Sequence, residues 1–171
     1  MHRLLLTLST AVCLVTGLAS TASAQCNGAA ASGSVTCTLP VVATATINAV
    51  ARLSISTTTT TLTAPTAADF GASAGVTSTG PTVTVMSNTG YTLSTSAATA
   101  TWTGPAGSSK PATDLKMKVG AGAVVALGQV GTSTTGTSST NYVIGYNALY
   151  NWTTDKPGSY SLVVNYTLTA P

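Results

Sequence analysis

The chain has 171 residues, of which only 5% are charged: six Lys and Arg, three Asp and no Glu, with a single histidine at position 2. A balance so close to neutral excludes the basic footprint of a nucleic-acid binder. Ordinary soluble domains carry roughly 25% charged residues, and a surface this poor in charge repels its own copies weakly, which favours an assembled or surface-attached protein.

Residues 1–24 read as a secretory signal peptide: His2 and Arg3 form a basic start, residues 4–18 are largely apolar, and Ala22-Ser23-Ala24 offers small residues at the cut. The apolar part is too short and interrupted to span a membrane, and no later run resembles a transmembrane helix. The expected location is therefore outside the cell, on its surface or at an outer membrane. Cleavage removes His2 and Cys13. Without a histidine neither a Ser-His-Asp nor a Cys-His arrangement can be built. A glycosidase needs two facing carboxyl groups, and only Asp69, Asp114 and Asp155 are available, with Asp69 and Asp155 in turn settings. The reading is a non-enzymatic protein with no cofactor.

Residues 25–40 form an N-terminal segment expected to be tied by a Cys26–Cys37 disulfide, the default for an even cysteine pair in an exported chain. Such a bridge stabilises by about 2–3 kcal/mol in the loop-entropy picture. No histidine or further cysteine remains to complete a tetrahedral metal site.

From residue 41 to the end, apolar residues alternate with period two, which predicts strands. Val41, Ala43, Ala45, Ile47, Ala49, Ala51, Leu53 and Ile55 share one parity. This run is too long for an average strand. It is either two short strands of the protein's own sheet or a donor arm leading into a first strand. The threonine run 57–61 extends a strand or crosses between sheets, and ADFG at 68–71 is a turn with Phe70 plugging the core.

Val83, Val85, Tyr91 and Leu93 keep one parity across Ser87-Asn88-Thr89-Gly90, which predicts one long strand bulged at Gly90 in preference to a hairpin. Residues 104–112 are a loop. Leu115, Met117 and Val119 point inward between Lys116 and Lys118, residues 123–130 form a short strand, and 131–140 are a low-complexity loop. Tyr142, Ile144, Tyr146, Ala148, Tyr150 and Trp152 then alternate, and a closing strand carries Tyr160, Leu162, Val164, Tyr166 and Leu168.

The aromatic row Tyr142, Tyr146, Tyr150 and Trp152 makes a carbohydrate-stacking face if it meets solvent. The presence of Ile144 and Ala148 on the same side predicts a core role instead, with Trp152 and Tyr160 filling the sandwich. Asn151 and Asn165 fit glycosylation sequons and read as outward polar residues. About seven strands in one exported domain, 41–171, predict an all-β, immunoglobulin-like antiparallel sandwich, with a closed barrel as the alternative.

ADFG at 68–71, VTVMSNTGYTLS at 83–94, LKMKV at 115–119 and PGSYSLVVNYTL at 157–168 together resemble bacterial surface β-sandwich modules, namely the spore coat protein U domain and archaic chaperone-usher pilin families. Those families share a DFG-like turn, a V-x-V-x-S-N middle strand and a closing strand introduced by G-x-Y. Here both mature cysteines precede the main strands, whereas the coat-U type pairs one with the middle of the domain. The resemblance implies a secreted structural or adhesive subunit that associates with copies of itself or with other surface subunits. It also implies donor-strand assembly and a periplasmic chaperone. A monomeric extracellular binding module, for carbohydrate, is the alternative.

Overall fold

The computed structural model describes residues 37–171; the leader at 1–24 and Cys26 lie outside the described residues. Two units are present, Met1–Thr46 and Ile47–Pro171. In the first, residues 37–46 carry neither helix nor strand and are exposed.

The second unit is an all-β sandwich of two antiparallel sheets. Its strands are β1 (Ala51–Ile55), β2 (Val76–Ser87), β3 (Tyr91–Ala97), β4 (Leu115–Val119), β5 (Val125–Ala126), β6 (Gln129–Ser133), β7 (Thr137–Ala148) and β8 (Val164–Thr169). One sheet has the order β1-β2-β7-β4-β5 and the other β6-β3-β8. The strand count is close to the expected seven, with β5 as a two-residue addition at an edge.

Alternation places every second side chain between the sheets. Val83 and Val85 from β2, Leu115 and Met117 from β4, and Ile144, Tyr146 and Ala148 from β7 meet Tyr91 and Leu93 from β3 and Val130 from β6 in one core. Outward positions on β2, β3 and β8 are mostly Ser and Thr, which suit strands without adding charge.

The structure corrects several chain-order expectations. Residues 83–93 are not one bulged strand: β2 ends at Ser87, and residues 88–90 carry the chain from the first sheet to the second. The parity survives because both inner faces look at the same core. Residues 123–130 likewise divide between sheets, β5 pairing with β4 and β6 with β3. The expected loop at 131–140 is mostly strand, with residues 134–136 crossing back between β6 and β7.

The two crossings run side by side, since Ser87 pairs with Thr137 and Tyr91 with Ser133. Glycine is needed where they touch. A Cβ on Gly136 would lie 2.7 Å from the Asn88 carbonyl carbon, and one on Gly90 would lie 3.0 Å from the Ser133 oxygen.

The N-terminal run is also shorter as a strand than its alternation suggests, because only Ala51–Ile55 pairs, with β2. Asn88 holds the residues just before it: its Oδ1 accepts from the Val50 N–H at 2.7 Å, its Nδ2 donates to the Asn48 oxygen at 2.8 Å, and its own N–H donates to the Val50 oxygen at 3.1 Å. At the other end, β7 stops at Ala148, so the parity count no longer governs Trp152. That residue is 66% exposed and stacks on Phe70 at 4.5 Å. Trp102 packs against the core in its stead, its indole N–H donating to the Pro111 oxygen at 3.1 Å. The closing strand begins at Val164; before it, Ser161 makes only an isolated bridge to Thr103.

Candidate functional site

Strands β1 and β8 are edge strands of opposite sheets, and their Cα atoms come within 8 Å of each other. Away from this approach the sandwich opens into a cleft of about 710 Å³. One wall is Ile55 with residues 57–65, and the other is residues 158–164 with Tyr166. The floor is made by Leu115, Tyr146 and Trp102, the first two being core side chains.

The local sequence explains why the cleft stays open. After β1 the threonine run makes no ladder, and residues 57–65 carry no strand. On the facing wall, Pro157 and Gly158 delay the start of β8 until Val164. The inward residues Leu162, Val164, Tyr166 and Leu168 are left only half-buried. In the immunoglobulin arrangement of sheets A-B-E-D and C-F-G, β1, β2, β7 and β4 take the places of A, B, E and D, while β3 and β8 take those of C and F. Among the described residues no strand lies in the place of G, and the outer edge of β8 is unpaired.

Two tyrosine pairs tie the sheets together across the core. The Tyr146 and Tyr166 hydroxyls meet at 2.7 Å on the cleft floor. Burial raises both above the usual tyrosine range; the hydrogen bond then raises Tyr166 further and opposes the shift at Tyr146. The Tyr91 and Tyr142 hydroxyls meet at 3.0 Å, and Tyr142 is pushed up to about 12 by burial first and its hydrogen bond to Tyr91 second.

Charge enters the cleft at one end. Lys110, 2% exposed, sits with its Nζ 2.6 Å from Asp155 Oδ2 and 3.4 Å from Asp114 Oδ2, and it also donates to the Leu149 carbonyl. The ammonium lies 4.6 Å from the Tyr150 ring centroid and 5.8 Å from that of Trp102. Sequence reading placed Lys110 in a loop and missed this cluster. Its partners lie in separate segments, and only the fold joins them.

The expected site residues separate into distinct groups. Val41 and Ile47 are 89% and 84% exposed, and Ala43, Ala45 and Ala49 are likewise exposed and outside any strand. Leu53 packs against the core from β1, and Ile55 lies at the cleft wall. The aromatic row does not form one solvent-facing surface. Tyr146 is 7% exposed, Tyr142 and Tyr150 are half-buried, and Trp152 alone stands out. Cys37 is exposed, and its expected partner lies outside the described residues.

Among the described residues no cluster of His, Cys, Asp or Glu could hold a metal ion. No helix among them is long and apolar enough to cross a membrane. No family model, curated protein or solved structure matches the chain.

Proposed function

We propose that this protein is an exported bacterial surface subunit, structural or adhesive and without enzymatic activity, that self-associates by strand addition. The observation that carries this reading is the open cleft beside the unpaired edge of β8. Its occupant is the segment 41–50 of a second copy. That segment is exposed and carries no strand, is tied to its own domain through Asn88 at Asn48 and Val50, and presents Val41, Ala43, Ala45, Ile47 and Ala49 at every second position. Strand addition needs such a pattern, because main-chain hydrogen bonds to the edge give affinity while alternate side chains enter the groove.

Length agrees with this occupant. Extended at about 3.3 Å per residue, the segment reaches roughly 33 Å, more than the roughly 20 Å of β8. The low charge of the surface lets copies pack closely. On this reading residues 1–24 are removed on export, Cys26 and Cys37 pair in the oxidising compartment, and a periplasmic chaperone covers the cleft until assembly.

The native protein, extracted without heating, is expected to run as a ladder of multimers. Ile47→Asp puts a charge at the centre of the inserted face and is expected to abolish the ladder while the monomer keeps its β-sheet circular dichroism. A ladder that survives this substitution, or a wild-type protein that stays monomeric, overturns the reading.

A further inference from the structure

The Lys110 cluster has a composition that the cleft does not require. A single ammonium is almost fully buried against a carboxylate whose side chain is 4% exposed, with a second carboxylate on the same nitrogen and two aromatic rings around it. Burying both ions of a pair is costly, and removing the charges altogether relieves that cost. We propose that Lys110 and Asp155 condense to an intramolecular isopeptide bond, with Asp114 as the proton relay.

The atoms are placed for this step. A proton passed from the Lys110 ammonium to the Asp155 carboxylate, across the 2.6 Å contact between them, gives the amine and carboxylic acid that the step consumes. The Nζ lone pair, 2.6 Å from Oδ2, attacks the adjoining Cγ and opens its C=O π bond. Oδ1 takes the resulting charge, where the Thr154 hydroxyl donates to it at 3.1 Å. Asp114 removes a proton from Nζ and returns it to the Oδ2 hydroxyl. The Cγ–Oδ2 bond breaks, the π bond re-forms to Oδ1, and one water leaves. One C–N bond replaces one C–O bond, nothing is oxidised or reduced, and no co-reactant is needed.

The surroundings hold the reactants in this pose. The Leu149 carbonyl accepts from Nζ, and the Asn151 N–H donates to Asp155 Oδ2 at 3.1 Å. The Tyr150 and Trp102 rings flank the site. The bond would clamp the loop before β4 to the loop after β7, bracing one end of the cleft. It does not depend on what occupies the cleft.

The test is the mass of the full chain as expressed, reduced and denatured, followed by fragmentation of its peptides. The expected result is a deficit of one water, localised to a branched peptide joining Lys110 to Asp155. An unchanged mass overturns the proposal, and so does a water loss confined to one linear peptide, as a succinimide would give. Lys110→Arg keeps the charge and the ring contacts and is expected to restore the full mass. Asp114→Asn is expected to leave most chains unjoined; if it condenses as completely as the wild type, the relay role is wrong.

Discussion

Tyr142 shows how a single hydroxyl reports on the packing of this core. Its ring is half-buried beside β6, and its hydroxyl meets that of Tyr91 from the opposite sheet. Because the folded state raises it from 10.0 to about 12, the neutral phenol is favoured in the native protein relative to the unfolded chain. Its contribution to stability is fully present below pH 10.0 and is lost as the pH rises through about 12. Denaturant titrations across that window should show stability falling, and Tyr142→Phe should flatten the fall. An unchanged slope would mean that Tyr142 does not carry it. At this scale the sequence was only partly readable. Parity identified Val83, Val85, Leu115, Met117 and Ile144 as inward residues, because alternation is a local property. It could not reveal Lys110, whose buried environment is assembled from Asp114, Leu149 and Asp155. Alternation also points Trp152 inward, but it does not hold past the end of β7 at Ala148, and Trp102 packs against the core instead.

Apart from the two-residue β5, β1 is the strand least secured by packing. It is short, it pairs on one side only, and of its side chains only Leu53 is partly buried. The hydrogen bonds from Asn88 to residues 48 and 50 therefore matter to where the strand begins. Asn88→Ala removes two side-chain hydrogen bonds at an exposed site and is expected to destabilise the domain by about 1 kcal/mol. The denaturation midpoint should fall at an unchanged slope. A fall above about 3 kcal/mol would show that the crossing itself had rearranged. Period-two patterning was a good guide to where extended chain lies and a poor one to what it pairs with. An exposed segment at 41–50 and a paired strand at 51–55 present the same alternation, so the boundary between them is written in hydrogen bonds to Asn88. The assignment of strands to sheets was hidden for a related reason: two facing sheets show the core identical inner faces.

For the whole molecule, the β2–β3 and β6–β7 segments form a single bent ribbon that passes through both sheets, touching at Gly136 and Asn88. This has a consequence for how the sandwich forms in time. Sandwiches fold slowly because distant strands must meet before their contacts repay the lost chain entropy. Here one closure does double duty: once β2 lies against β7, the adjoining crossings deliver β3 to β6 already near its register, with little further loop entropy to lose. β8, by contrast, joins only at the edge of β3 and has no such shortcut. Val85→Ala and Leu93→Ala should therefore mainly slow refolding, whereas Val164→Ala should mainly hasten unfolding. Stopped-flow chevrons that divide all three alike would refute this order of events. If it holds, a newly made chain secures its ribbon early and closes the edge strand late. The edge that finishes last is then the one most open to capture by another molecule while folding is still under way.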